Sequence, residues 1–205
     1  ISYLPEQEKP QVVAQDSLNF YNLNLPKLSV IFFNSKSSLP LMDKRVRQAL
    51  AYAINKNKIV DEVMAGNARV IDGPILPNSF AYSNQIKKYD YDMATSSRLL
   101  YEAGWKTVEL TEADMAKANQ DLTDKDEAIK KQAEAKIKMG AGRWLVKDNN
   151  YLIIRLTTVD NQEYGQVAKS IAKFWNDINV KTEVNLVPAN QIQVDVIKSR
   201  NFDAL

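Results

Sequence analysis

The stretch PLMDKRVRQALAYAINKNKIVDEVMAG, residues 40–66, decides the fold class of this 205-residue chain. Apolar residues recur in it at intervals of three and four, which is the period of an amphipathic helix. The first predicted helix covers residues 43–54, with Asp43 as its N-cap. Its predicted buried stripe comprises Val46, Leu50, Ala53 and Ile54.

A second predicted helix follows at once, with Asn55 as its N-cap. Gly66 is placed to end it, because glycine readily adopts the left-handed conformation that closes many helices. Its predicted buried stripe comprises Ile59, Val60, Val63 and Met64. The opening stretch therefore predicts a helical hairpin.

The first turn of this hairpin contains three cations, Lys44, Arg45 and Arg47. The helix dipole disfavours each of them by roughly a few tenths of a kcal/mol. We expect Arg45 and Arg47 to pair with carboxylates elsewhere in the fold. The alternative is that one of them contacts a bound ligand or a partner domain.

Composition excludes several functional classes. A net charge of +2 from 27 basic and 25 acidic residues gives no concentrated positive field, so no nucleic-acid partner is expected. The absence of Cys and His excludes thiolate catalysis and Cys-based zinc sites and argues against a hydrolase or metalloenzyme. Gly140 and Gly142 fit no phosphate-binding motif. We expect no catalytic residues, no metal and no cofactor.

Neither a membrane span nor a signal peptide is evident within these 205 residues. No apolar run approaches the roughly 18 residues needed to span a bilayer. The first residues, ISYLPEQEKP, lack the order of a signal peptide. We expect the chain to be a piece of a longer protein.

The N-terminal region before the hairpin is predicted to contain a short helix at residues 5–16 and a strand at residues 18–26. The run LSVIFFN, residues 28–34, is continuously apolar and rich in β-branched and aromatic residues. This pattern is typical of a strand buried on both faces. It predicts a central strand.

After the hairpin, glycine and proline predict an extended, turn-rich connection over residues 70–84. Asp92 then caps a further helix, which Gly104 ends. The apolar side of that helix is predicted to include Met93, Leu99, Leu100 and Ala103.

Residues 107–140 are strongly polar. They predict two surface helices with Thr111 and Thr123 as possible caps, supported by acidic and basic residues at i, i+4 spacing. We interpret the segment as a solvated insertion; the alternative is a hairpin that docks a partner.

The last third predicts a strand at residues 151–158, a helix at 161–178, a strand at 180–187, a short helix at 189–199 and the start of another strand. This βαβαβ order implies a parallel sheet with helices on its faces. Ligands of open α/β sheets bind at the carboxyl ends of the strands. The polar loops 157–162 and 187–191 are therefore candidate binding loops, each leading into a helix N-terminus with free N–H donors.

The order of segments FFN, PLMDKRVRQALAYAINKNKIVDEVMAG, GPILP, YDYDMATSSRLLYEAGW, NVKTEVNLV and RNFDAL resembles the family 5 extracellular solute-binding proteins of bacterial ABC importers. That family includes dipeptide-, oligopeptide- and nickel-binding proteins. The resemblance implies an α/β fold: a periplasmic-binding-protein-like lobe with a mainly parallel sheet flanked by helices, plus a helical insertion.

The resemblance also implies a domain division. Residues 1–26 resemble the tail of a first lobe and its linker, and residues 27–205 most of a second lobe. Residues 107–140 take the place of a short turn in the family and are the predicted insertion.

Some ligand-binding positions follow from the resemblance. Val30, Phe32 and Asn34 match a strand that lines the cleft in relatives. Glu163 matches a position that approaches the ligand in some oligopeptide binders, and Asn190 matches a position that is commonly Trp. Asp160 and Asn161, in the first polar loop, complete the candidate set. The acidic residue that holds a peptide's amino group in relatives lies beyond Leu205.

The function implied is capture of a peptide or peptide-like solute outside the cytoplasmic membrane and its delivery to the membrane permease of an ABC importer. The full-length protein is expected to be monomeric, periplasmic or at the cell surface, with a lipid anchor as one form. The alternatives are a ligand-sensing domain of a regulator, or a family member that binds a sugar, haem or a nickel complex.

Overall fold

The predicted helical hairpin is present in the computed structural model, which describes residues 9–13, 27–36 and 38–205. Helices α3 (Lys44–Tyr52) and α4 (Lys56–Glu62) follow a single turn, α2 (Leu39–Met42), that the sequence pattern did not predict. The carboxylate of Asp43 accepts a hydrogen bond from the Arg45 N–H at 2.8 Å, and the Asn55 side chain accepts one from the Lys58 N–H at 3.0 Å. Both predicted caps are confirmed.

The two helices of the hairpin are buried to different extents. Val46, Leu50, Ala53 and Ile54 are all buried, as predicted. The α4 stripe of Ile59, Val60, Val63 and Met64 is only half-buried, which corrects the prediction. Ile59 packs against the core, while α4 is short and lies at its margin.

The first-turn cations find partners close by. The Arg45 guanidinium folds back on the Asp43 carboxylate at 2.7 Å and donates to the Glu102 carbonyl at 2.6 Å. Arg47 donates to the carbonyls of Leu41 and Met42. The expectation of carboxylates elsewhere in the fold is therefore wrong, because carbonyls left unpaired at the ends of neighbouring helices are the acceptors in reach.

The remaining helices before the sheets agree with the sequence in outline. Helix α1 (Lys9–Val13) lies within the predicted helix at 5–16, and the strand predicted at 18–26 lies outside the described residues. Residues 70–84 form no helix or strand. Helix α5 (Met93–Glu102) begins at the Asp92 cap and is followed by Gly104 with φ of +92°. Met93 was predicted to face inward but is exposed, because it is the first helical residue.

The predicted insertion consists of two helices held between two strands. Strand β1 (Lys106–Leu110) pairs antiparallel with β2 (Gly142–Lys147), and helices α6 (Glu112–Asp121) and α7 (Glu127–Met139) lie between them in the chain. Thr111 caps α6 in a capping box with Asp114, which confirms the cap predicted at Thr111. Helix α7 is capped by Asp126 and not by Thr123, because Asp126 directly precedes its first turn. The two strands were missed.

The parallel unit of the last third is confirmed. Strand β4 (Ile153–Val159) pairs in parallel with β5 (Lys181–Val187) across helix α8 (Gln162–Asp177). A two-residue strand, β3 (Asn150–Tyr151), precedes β4 and pairs with β2. The last predicted helix is present as a π-helix, Ile192–Lys198. Ala204 then pairs in parallel with Leu156, as a third strand would.

The run at residues 28–34 is not a central strand. It is an extended segment that pairs antiparallel with the end of the chain, through Phe33 opposite Ala204. Ile31 and Phe33 pack against the core, whereas Val30 and Phe32 are 42% and 62% exposed. The prediction failed because an apolar run does not reveal whether a second layer covers its other face.

The insertion lies at the opposite end of the parallel sheet from the strand carboxyl ends. The ammonium of Lys181, the first residue of β5, donates to the Met139 carbonyl at 3.1 Å, and Lys138 pairs with Glu183 at 3.3 Å. Seven residues of β-strand extend over about 20 Å. The insertion is therefore separated from the candidate binding loops by the length of the strands.

Trp175 on α8 joins the sheet to the helical hairpin. It is fully buried, and its indole N–H donates to the Leu50 carbonyl of α3 at 3.0 Å. Its ring also lies 6.1 Å from the ring of Phe33. One side chain thus links α8 to both the helical hairpin and the extended segment.

Trp175→Phe is expected to lower the free energy of unfolding by about 2–4 kcal/mol, because it leaves a buried carbonyl unpaired and opens a cavity. Trp144→Phe is the matched control, since its indole N–H also donates to a carbonyl, that of Gly140, but at a half-buried site. Urea denaturation measures both. Equal losses would contradict the assigned role of Trp175.

The Asp43 cap is expected to make stability depend on pH. Its hydrogen bonds with the Arg45 side chain lower the pKa of Asp43, more than burial raises it. A lowered carboxyl pKa stabilises the fold above the unfolded-state value, and this contribution is lost as pH falls through the folded-state value.

Asp43→Ala is therefore expected to cost about 1 kcal/mol at pH 7. The difference from wild type should stay constant above about pH 5 and shrink below about pH 4. Unfolding free energies measured across that range test this. Asn55→Ala removes an uncharged cap, so its cost should not vary with pH; parallel behaviour of the two variants would refute the explanation.

Candidate functional site

The carboxyl ends of the two parallel strands meet at one edge of the sheet. The backbone N–H of Asp160, just after β4, donates to the carbonyl of Val187, the last residue of β5, at 2.8 Å. This bond holds the two candidate loops, 157–162 and 187–191, side by side. We call this the ligand edge, meaning residues 157–164 and 187–191 together with the segment 27–33 described next.

The extended segment reaches the same edge. Phe32 exchanges two backbone hydrogen bonds with Leu205, and Ala204 pairs with Leu156 of β4. Because the segment runs antiparallel to β4, residues before Phe32 lie towards the carboxyl end of β4. The Lys27 ammonium, 4.9 Å from the centre of the Tyr164 ring on α8, confirms this direction. Three segments therefore converge at the ligand edge.

The side chains of this segment alternate between the core and the surface. Val30 and Phe32 are exposed, so they present apolar surface on the outward face of the ligand edge. The Phe32 backbone is occupied by Leu205, and alternation directs the N–H and C=O groups of Ile31 and Phe33 to the other side of the segment. Within the described residues those groups have no hydrogen-bond partner. The segment is thus a β-edge that can accept another chain.

Asn34 lies away from the ligand edge, level with Asp203. Its amide nitrogen donates to the carbonyls of Arg200 and Phe202 at 3.0 and 3.1 Å, and its amide oxygen accepts from the Lys36 N–H. The side chain is buried. These hydrogen bonds stabilise the turn before residues 203–205, so the role that they give Asn34 is structural.

The remaining predicted residues lie along the two loops. Asp160, Asn161 and Asn190 are exposed, and Glu163 is half-buried in the first turn of α8. The structure thus brings six of the seven predicted residues to one edge and leaves Asn34 outside it. Their contact with a ligand stays a prediction.

The expectation of free N–H donors at the helix starts is wrong for the donors that the structure shows. The Asn161 side chain accepts from the N–H groups of Glu163 and Tyr164. The N–H groups of Gln191 and Ile192 donate to the Pro188 carbonyl. In each turn, a side-chain or carbonyl oxygen two to four residues earlier accepts the hydrogen bonds of these N–H groups. Donors for a ligand backbone are therefore found on the extended segment instead.

Sequence reasoning missed the backbone of Ile31 and Phe33 and the side chain of Lys27. A period-two reading of residues 27–34 would have placed Val30 and Phe32 on one face and Ile31 and Phe33 on the other. Nothing local to Lys27 identifies its aromatic partner, which lies far along the chain.

Two shallow pockets open on the described part of the chain, with volumes of about 80 and 250 Å³. Both are smaller than the roughly 300–1,000 Å³ typical of small-molecule sites. The larger lies beside Phe33 and the start of α3, away from the two loops. Neither encloses the ligand edge, so a ligand there would need covering by a second surface.

Two kinds of structure are absent from the described residues. Among them, no group of three or more acidic side chains is arranged to hold a metal ion. Nor does any helix there have the length and apolar character needed to cross a membrane.

The computed structure is similar to the oligopeptide-binding protein AppA of Bacillus subtilis, solved with a nonapeptide: the TM-score is 0.61 at 24% identity, over 85% of this chain and 29% of that one. This likeness shows the fold, an α/β lobe of the periplasmic-binding-protein type.

Two relatives match by sequence. Heme-binding protein A of Haemophilus influenzae is 33% identical over 97 residues, which are 47% of this chain and 16% of that protein. Glutathione-binding protein GsiB of Pectobacterium atrosepticum is 44% identical over 66 residues, which are 32% of this chain and 13% of that protein. The chain spans less than a third of each of these three proteins.

The family model described as bacterial extracellular solute-binding proteins, family 5 Middle, matches residues 1–205. The chain therefore belongs to the family 5 bacterial extracellular solute-binding proteins.

Proposed function

We propose that this chain is part of the substrate-binding component of an ABC importer, which captures a peptide or peptide-like solute outside the cytoplasmic membrane and delivers it to the permease. The observation that carries the proposal is the ligand edge. There the backbone N–H and C=O groups of Ile31 and Phe33, which have no hydrogen-bond partner among the described residues, form a β-edge beside two polar loops.

A peptide suits such an edge better than most solutes do. An extended peptide adds to an open β-edge through backbone hydrogen bonds, which are the same whatever its side chains are. Val30 and Phe32 would offer apolar contact to side chains of varied size. The charges near this edge, on Lys27, Asp160 and Glu163, would orient the peptide's termini. GsiB, named for glutathione, and AppA, solved with a nonapeptide, support a peptide ligand.

The proposed mechanism is binding and closure, with no reaction. The ligand edge is open, so a second lobe must close over the ligand to exclude water and complete its contacts. The permease would then recognise the closed form. We propose that the full-length protein acts as a monomer and is periplasmic or at the cell surface, with a lipid anchor as one form.

Haem is the second candidate ligand. The longest of the sequence matches above is to heme-binding protein A. The exposed Phe32 ring would pack on a flat macrocycle, but the chain has no His to coordinate the iron. Haem binding in this lobe would therefore use apolar contact, with Tyr or Met as the side chains left to coordinate the iron.

Mass spectrometry of ligands retained by the full-length protein tests the proposed function. We expect peptides of mixed sequence, because the ligand edge would bind backbone groups, which are the same in all peptides. Recovery of haem alone would favour the second candidate, and recovery of only a sugar or a metal complex would reject both.

Ile31→Pro tests the β-edge itself, because proline removes the N–H that would face a peptide. Ile31→Ala is the matched control, since it loses the packing of the side chain but keeps that N–H. In the full-length protein, Ile31→Pro should weaken binding of a retained peptide by roughly two- to tenfold relative to Ile31→Ala, the worth of one hydrogen bond. Calorimetry giving equal affinities for the two variants would exclude this amide as a contact.

A further inference from the structure

The turn-rich connection after α4 contains a compact loop whose two ends meet. The Asp72 carboxylate pairs with Lys56 of α4 at 2.5 Å and lies 3.9 Å from the Lys88 ammonium. Beside this pair, Gly73 lies so close to Ile86 that a Cβ at position 73 would stand 2.9 Å from the end of that side chain. Residues 73–87 therefore form an Ω-loop closed at its stem.

Two consecutive turns fix the tip of this Ω-loop. The Ser79 N–H donates to the Leu76 carbonyl at 2.9 Å, with Pro77 and Asn78 at the central positions that such turns favour. The Tyr82 N–H then donates to the Ser79 carbonyl at 3.1 Å. Phe80 occupies the first central position of the second turn and is completely exposed. The loop holds an aromatic ring out into solvent on an ordered backbone.

The composition of the Ω-loop is that of an interface. Charged residues make up 25% of the chain, yet none stands between Asp72 and Lys87. Ile75 and Tyr82 are exposed together with Phe80. Depletion of charge, aromatic enrichment and a preorganised backbone are features of the centre of protein–protein interfaces. Lys87 and Lys88 at the stem add positive charge at its border.

We propose that the Ω-loop docks on the permease of the importer, with Phe80 inserted in an apolar pocket that is bordered by carboxylates. The inference rests on the proposed function, which requires a protein partner at the membrane. The loop is anchored on α4 through Lys56 and beside α3 through Tyr89, whose hydroxyl accepts from Gln48. The ligand edge is built from other segments, so docking and ligand capture would use different residues.

The test uses the full-length protein loaded with ligand and its own permease reconstituted in lipid nanodiscs. Phe80→Ser should weaken permease binding at least tenfold, as expected for loss of an aromatic anchor. Its affinity for the ligand and its melting temperature should match those of wild type. Tyr101→Ser, which removes an aromatic ring that is 72% exposed on α5, is the matched control and should bind the permease normally.

Lys87→Glu should also weaken permease binding, and more at low salt than at high salt. The introduced carboxylate would be repelled by the carboxylates proposed at the border of the permease pocket. An unchanged affinity would overturn that part of the proposal. Equal permease binding by Phe80→Ser and wild type would overturn the inference while leaving the proposed function intact. No permease binding by wild type would count against both.

Lipid and another part of the same protein are two other possible partners of the Ω-loop, and each would give a different experimental result. Equal binding of wild type to empty nanodiscs, lost in Phe80→Ser, would assign the loop to lipid and overturn the proposal. A lowered melting temperature for Phe80→Ser, with Phe80→Cys protected from maleimide in the full-length protein, would show that the ring packs within the protein itself. Rapid labelling of Phe80→Cys, above the labelling of the unsubstituted full-length protein, supports the proposal.

Discussion

The buried hydrogen bond from the Trp175 indole to the Leu50 carbonyl is the interaction on which the rest of the structure depends. Leu50 lies in the last turn of α3, where a carbonyl lacks an intrahelical partner and would be costly to bury alone. Trp175 supplies that partner from α8 and brings the ring of Phe33 into the same core. The helical hairpin, the parallel unit and the extended segment are thereby fixed relative to one another. The position of the ligand edge follows from this arrangement.

The lobe has two ends with different characters. At the carboxyl ends of β4 and β5, exposed loops and an open β-edge present backbone and side-chain groups that the described residues do not fully use. At the amino ends, Lys181 and Glu183 are occupied by contacts with the insertion. The length of the strands keeps the insertion away from the ligand edge. Its polar helices can therefore vary without altering the ligand edge.

Much of the local structure was predictable from the sequence. Asp43, Asn55 and Asp92 cap helices by bonds to backbone groups two or three residues away, so their role is visible in the sequence. The alternation of strand and helix in the last third likewise predicted the parallel pair, and with it the edge to which six of the seven candidate residues map. The sequence did not predict the hydrogen bonds of the Asn34 side chain, because its partners belong to a turn more than 160 residues away.

The sequence by itself determined the capped helices, the βαβ unit and the absence of Cys and His as catalytic or metal-binding side chains. Only the tertiary structure decided that residues 28–34 lie at an exposed edge, that Arg45 and Arg47 satisfy helix-end carbonyls, and that Lys27 stacks on Tyr164. The physical reason is the range of the interactions. Caps and periodicity act within one or two turns, whereas strand order and burial depend on which distant segment pairs with an edge and whether another layer covers it.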